Sequence, residues 1–278
     1  MYKKFLILAS KQDEAGMNIA TQLFQFRKAP ISGILSQEEK YFDIFIVDNS
    51  ILFEENLNLD KLREYDFVIF ASKHKSEKHE KSLTVHAPGN LSFEEPKFGG
   101  KPGKICKASA VFQKQIFIKL KKNAEKSALK KYNVTMEATH HGPLINKPCL
   151  FIEIGATEEE WKDKRAGFAV AKTISEAIEE FAGNKYNEIA VGIGGPHYCP
   201  EFNKLQLNSN IAISHVIPKY ISPITEEIIK EVWKKTDEEV DFAIVDWKGL
   251  GNAEQRQKVI DVLEKTQLPW KKLGDVEG

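Results

Sequence analysis

Short apolar runs rich in β-branched and aromatic residues recur along the chain, and stretches with helical spacing separate them. Phe5–Ala9, Phe42–Val47, Phe67–Ala71, Leu150–Ile154, Ile189–Ile193, Ile211–Ser214 and Phe242–Val245 are nearly continuous in apolar character. A strand of that kind is buried on both faces, so the pattern predicts an α/β fold. Its core is a central mixed or mainly parallel sheet with helices on both faces. Ile19 to Phe26 reads as a helix with Ile19, Leu23 and Phe26 on one side. Thr157 caps an acidic first turn, Glu158-Glu159-Glu160, and one helix then runs through Trp161, Phe168, Ile174 and Phe181 to Gly183. Ile224–Trp233 and Ala253–Leu263 are further amphipathic helices. There is no internal repeat or low-complexity linker. The reading is a single domain over residues 1–278, with a lysine-rich stretch at about 85–135 as the candidate subdomain.

Composition removes several function classes. The 278 residues hold 40 Lys+Arg and 40 Asp+Glu with 42% hydrophobic residues, which excludes the disordered class. Met1–Ser10 is too short in apolar residues for a signal sequence, and no run approaches the about 18 apolar residues of a membrane span. Cys106, Cys149 and Cys199 are odd in number and far apart. That pattern argues against a disulfide framework and a thiolate zinc knuckle, and for a reduced, cytoplasmic setting. Nothing points to an obligate protein partner, and a monomer is expected.

The neutral whole conceals a polar molecule. Residues 97–131 carry eleven lysines against the single acid Glu125, a local charge of +10. Such a segment is the footprint of a polyanion such as a nucleic-acid backbone, or else a solvated lysine-rich helix. Lys101, Lys104, Lys119, Lys121, Lys122, Lys130 and Lys131 are the RNA-binding candidates. Phe98–Lys104 is a flexible glycine loop with basic side chains that lacks the order of a Walker phosphate loop.

Four histidine segments carry the chemistry. In Ser82–Asn90, an extended chain puts Thr84 and His86 on one side and Leu83 and Val85 on the other. In Glu137–Pro143, His140 and His141 diverge unless the chain turns at Gly142-Pro143; two imidazoles with a nearby carboxylate suit zinc. In Gly194–Phe202, His197, Tyr198, Cys199 and Glu201 fall within five residues after a strand, where two glycines allow close backbone approach. His215 lies on an apolar strand face and reads as a core histidine. Glu153, inside an apolar strand, must be ion-paired, bind a metal or have a raised pKa. His74 and His79 sit in a charged run, Lys73–Lys81, and read as solvated. No G-x-S-x-G elbow is present.

SLTVHAPGN (82–90), EATHHGP (137–143), FIEIGATEEEW (151–161) and GGPHY (194–198) resemble the archaeal and plant type of D-aminoacyl-tRNA deacylase, over nearly the whole chain. The resemblance implies a zinc-dependent cytoplasmic esterase that removes D-amino acids from tRNA. It also implies a phosphorylase/hydrolase-like fold related to bacterial peptidyl-tRNA hydrolase. On that basis His86, His197, Glu137 and Glu153 are the catalytic candidates, and His140, His141, His197 and Glu201 the zinc ligands. A metal-free version would use a histidine base, with backbone N–H groups near Gly194-Gly195 stabilising the oxyanion. A zinc peptidase or amidohydrolase that ignores RNA and a non-catalytic RNA-binding protein are the alternatives.

Overall fold

The computed structural model describes residues 1–27, 32–34, 41–55 and 62–276. In chain order its strands are β1 (Lys4–Ser10), β2 (Ser32–Ile34), β3 (Tyr41–Val47), β4 (Phe67–Lys73), β5 (Ser82–His86), β6 (Gly89–Asn90), β7 (Lys104–Ile105), β8 (Asn133–Met136), β9 (Cys149–Gly155), β10 (Glu188–Ile193), β11 (Ile211–Ile217), β12 (Phe242–Val245) and β13 (Trp270–Lys272). Its helices are α1 (Glu14–Arg27), α2 (Ala110–Lys126), α3 (Glu158–Trp161), α4 (Lys164–Glu179), α5 (Pro200–Asn208), α6 (Glu226–Lys234) and α7 (Ala253–Thr266).

Each apolar run becomes a strand, and the strands divide between two sheets. The larger has the order β2-β3-β1-β4-β9-β5-β8, and the smaller has β11-β10-β12-β13. The smaller is parallel throughout; in the larger, β2 opposes β3 and β5 opposes β9. β6 and β7 form a separate hairpin.

Alternation along the strands decides where the site can be. Phe5, Ile7, Ile69, Ala71, Leu83, Val85 and Ile152 point into the main core, which also holds Ile19 and Leu23 of α1, Phe112 and Phe117 of α2, and Ile174 of α4. Leu6, Leu8, Val68, Phe70 and Phe151 point the other way, into a smaller cluster closed by Ile51, Leu62 and Ile145. Burying each such side chain contributes about 1.5–3 kcal/mol. By the same period of two, Glu153 follows Phe151 and His86 follows Thr84 on this second face. Register puts Glu153 opposite both Ser72 and Thr84, and His86 opposite Phe151.

Two helical expectations need correction. Phe26 is exposed and its ring packs on Phe168, so α1 buries Ile19 and Leu23 without it. The single helix expected from Thr157 to Gly183 is two. The capping box of Thr157 and Glu160 starts α3 as expected. Asp163 then restarts the chain, its carboxylate accepting from Arg165 N at 2.9 Å as the N-cap of α4.

Candidate active site

The site forms where the two sheets meet. After β8 the chain stays extended: Glu137 N donates to Val85 O at 3.0 Å, Ala138 N to His197 O at 2.8 Å, and Thr139 N to Val216 O at 3.0 Å. Residues 137–139 thus tie β5 of the larger sheet to β11 and to the loop after β10. His141 then takes a left-handed φ of 43°. That turn brings the adjacent imidazoles together, with ring centroids 4.3 Å apart. Gly142 follows against Gly99, where a Cβ would lie 2.4 Å from a main-chain carbon.

Four predicted histidines converge. The centroid of His86 lies 4.1 Å from His140 and 4.8 Å from His141, and His140 lies 4.6 Å from His197. His86 is fully buried and stacked on Phe151 at 5.2 Å. Nδ1 of His86, His140 and His141 meets a main-chain carbonyl at 3.3, 2.8 and 2.7 Å, from Ala87, Ala138 and Gly142. A carbonyl only accepts, so each Nδ1 carries the proton and each Nε2 presents a lone pair. His86 Nε2 is buried without a hydrogen-bond partner. Burial pulls the pKa of His86 down to about 3 and of His141 to about 4, and holds His140 well below the usual histidine range. Neutral imidazoles with Nδ1 held by backbone carbonyls are how metal-ligating histidines are oriented.

The histidine read as solvated belongs to this site. His74 is 6% exposed. Its Nδ1 lies 3.0 Å from Glu137 Oε1 and 3.5 Å from Glu153 Oε2, and its Nε2 lies 2.8 Å from the Tyr198 hydroxyl. Its carbonyl accepts from Trp161 Nε1 at 3.0 Å. The charged run misled because only its later part is solvated. His74 directly follows the buried β4, and a strand's carboxyl end is where α/β sites form; that was the available signal. Burial pulls its pKa down, but Glu137 and Glu153 outweigh burial and raise it to about 11. His79 is exposed, as expected.

Glu137 is buried beside three imidazoles, with Oε1 3.4 Å from His197 Nε2 and Oε2 3.8 Å from His86 Nε2. Burial pushes its pKa up, yet His197 and His74 hold it well below the usual carboxylate range. Burial dominates at Glu153 and raises it to about 7, against the pull of His74. His197 Nδ1 lies 3.0 Å from the Tyr220 hydroxyl.

These donors form three overlapping groups whose ligand atoms lie within 4.8 Å of one another: His86-His140-His141, Glu137-His140-His197 and His74-Glu137-Glu153. Each could hold a metal ion. Glu201 is in none of them; its carboxylate sits 2.7 Å from Lys204 Nζ in the first turn of α5. His215 is buried with Nδ1 3.1 Å from Thr139 Oγ1, while its Nε2 is buried without a hydrogen-bond partner; it lies outside all three groups of donors. The Gly194 N–H is spent on Ile217 O at 2.8 Å, so it cannot serve an oxyanion.

A cleft of about 930 Å³ opens over the site. Ser10 ends β1, Ser72 and Lys73 end β4 with His74 just after it, and Glu153 lies near the end of β9; with His140, His141, His197 and Phe98 they line it. This is the carboxyl edge of the larger sheet's parallel strands.

The lysines of residues 97–131 do not share one surface. Lys101, on the β6–β7 hairpin loop, and Lys104, which opens β7, are exposed, and the loop abuts the His140–Gly142 turn. Lys121 and Lys122 are on α2, which packs on the opposite face of the sheet, and Lys130 and Lys131 follow it. Lys119 Nζ is paired with Glu180 at 2.5 Å. Lys114 is buried, its Nζ donating to Ser209 O and Ile211 O at 2.6 and 2.7 Å, and burial lowers its pKa to about 8. The glycine loop expected to be flexible is pinned: Gly142 N donates to Phe98 O and Asn90 Nδ2 to Gly99 O, both at 2.8 Å.

A family model described as D-aminoacyl-tRNA deacylase matches residues 61–271. A protein of that name from Methanocaldococcus jannaschii is 35% identical over 277 residues, covering 97% of this chain and 100% of its own. One from Pyrococcus abyssi is 32% identical over 275 residues, covering 95% and 98%. A crystal structure described as a conserved protein of unknown function superimposes with a TM-score of 0.83 at 29% identity, over 99% of this chain and 96% of the other. Among the described residues no helix is long and apolar enough to cross a membrane.

Proposed function

Because this chain belongs to the D-aminoacyl-tRNA deacylase family, we propose that it hydrolyses the ester linking a D-amino acid to tRNA, releasing both. The observation that carries the reading is the cluster of His86, His140, His141 and His197 beside buried Glu137 and Glu153, at the edge of a cleft large enough for the esterified end. The donor set suits zinc, since imidazoles and carboxylates are its common ligands and an unpartnered buried Nε2 asks for one. His86, His140 and His141 would hold it, with Glu137 and His197 completing the set. When bound, zinc supplies Lewis acidity toward the ester carbonyl and lowers the pKa of water to about 7.

The chain's own groups do the rest. Glu137 stays ionised and, with Glu153, keeps the His74 cation in place. Glu153 lines the cleft with a pKa near 7, where a carboxylate can take a proton from water and return it to the departing ribose oxygen. Tyr220 orients His197 through Nδ1. Lys101 and Lys104 contact the RNA backbone, and Lys121, Lys122, Lys130 and Lys131 serve it only if the RNA wraps onto the opposite face. Such an enzyme works in the cytoplasm. The test is incubation of purified protein with D-Tyr-tRNA and L-Tyr-tRNA, each with and without a chelator. Release of D-tyrosine, suppressed by chelation and restored by zinc, is expected. No release from D-Tyr-tRNA would refute the reading.

A further inference from the structure

Five phenylalanines are more than a third exposed: Phe26, Phe53, Phe93, Phe98 and Phe168. Phe26 and Phe168 cover each other, with centroids 5.6 Å apart. The other three have no ring partner among the described residues, and all lie on the two loops beside the cleft. Phe98 is 59% exposed and lines the cleft together with Leu52, His140 and His141. Phe53, 57% exposed, follows Leu52, and the two loops touch there: a Cβ on Gly99 would lie 1.7 Å from Leu52 O. Phe93, 55% exposed, packs against Gly103, where a Cβ would meet its ring at 2.6 Å.

A cluster of exposed rings beside a cleft marks a binding surface, and the main chain that carries Phe98 is fixed. Gly99, Gly100 and Gly103 take φ of 65°, 85° and 62°, which side chains rarely adopt. Phe98 O is fixed by Gly142 N, directly after the paired histidines. The backbone at Phe98 is therefore tied to the catalytic turn, so a partner need not order the loop. Exposed Lys97, Lys101 and Lys104 flank it, without ion pairs among the described residues. Glu94 and Glu95 share the loop, so flat rings rather than net charge carry the recognition. Rings interleaved with lysines at the mouth of a cleft are the arrangement that binds single-stranded nucleic acid by stacking.

We infer that Phe98, supported by Phe53, is the stacking platform for the unpaired 3′-terminal nucleotides of the tRNA, and that it delivers the terminal nucleoside's ester to the histidine cluster. The inference rests on the deacylase reading and adds a binding surface to it.

The experiment measures KM and kcat for D-Tyr-tRNA with the zinc-loaded protein and its F98A, F98L, F98W and F53A variants. An uncharged tRNA carrying 2-aminopurine at its 3′ end reports stacking by fluorescence quenching. Losing one stacked base should raise KM and the tRNA dissociation constant roughly 10- to 100-fold in F98A. The split falls on KM more than kcat, because the stacking is the same in ground and transition states. F98W should restore quenching, and F98L, apolar but not flat, should not. F168A, on a different surface, is the control and should behave as the parent. If the parent hydrolyses D-Tyr-tRNA and F98A does so with the same KM and the same quenching, the inference is wrong and the deacylase reading stands. If the parent hydrolyses nothing, the deacylase reading falls. If F98A loses only binding to phosphatidylglycerol vesicles, the rings serve a membrane and the inference is wrong.

Discussion

Glu137→Gln in metal-free protein isolates the charge that organises the site. The substitution keeps shape and volume but removes the carboxylate 3.0 Å from His74 Nδ1. Unit charges at that distance attract by about 5 kcal/mol at an effective dielectric constant of about 20. Glu153, 3.5 Å away, remains as a second partner, and its repulsion with Glu137 disappears, so the net loss should be smaller. About 3 kcal/mol, the low end for breaking a buried pair, is expected at pH 7. The pH profile carries the sharper signature. The folded pKa of His74 is raised to about 11 from the ordinary histidine value of 6.5. Its stabilisation is therefore complete below pH 6.5 and lost as pH climbs toward 11, by up to about 1.4 kcal/mol per unit. Between pH 7 and 9 the parent should lose about 2.5 kcal/mol from His74, and the variant about 0.5 kcal/mol less, because Glu153 still holds part of the shift. Urea denaturation of chelator-treated protein at these two pH values measures both quantities. Equal stability at pH 7 and parallel pH slopes would show that His74 carries no paired charge.

Further outcomes follow from the same geometry. Gly142→Ala should cost about 1–3 kcal/mol in urea denaturation and release bound metal, because the new Cβ meets main-chain atoms of Gly99, Gly100 and Leu52 at 2.4, 2.5 and 2.8 Å. His215 is buried with its pKa lowered to about 4; its stabilisation is complete above pH 6.5 and lost as pH falls toward 4, so His215→Asn should flatten that acid limb by about 3 kcal/mol in denaturation curves. Changing Lys101 and Lys104 to Ala should reduce the slope of log affinity against log salt for tRNA by about 0.7–0.9 for each phosphate that the two lysines neutralise, whereas Lys122 and Lys130 on the far side should change it less in filter-binding titrations.

Sheet strands were legible because burial on both faces leaves runs such as Phe67–Ala71 and Ile189–Ile193 uninterrupted. The division into two sheets was not, because an apolar strand does not name its neighbour. His86, His140, His141 and His197 were visible as residue types at strand ends. Their convergence depended on the left-handed turn at His141 and on residues 137–139 bridging the sheets, both tertiary events. His74 was hidden by the lysines and glutamates that follow it, although only the chain beyond it is in water. Glu201 drew attention through proximity in sequence, yet the first turn of α5 gives it to Lys204. The lysine run looked like one patch because sequence records density and not facing; α2 buries Lys114 and pairs Lys119.

His140 belongs to two of the three groups of donors, so it tests the shared site most directly. The measurement is single-turnover hydrolysis of D-Tyr-tRNA by the zinc-loaded parent and by His140→Ala, with bound zinc counted in the same samples. The account predicts zinc lost and the rate reduced by about 100-fold or more. Hydrolysis at the parental rate by a His140→Ala protein would contradict it.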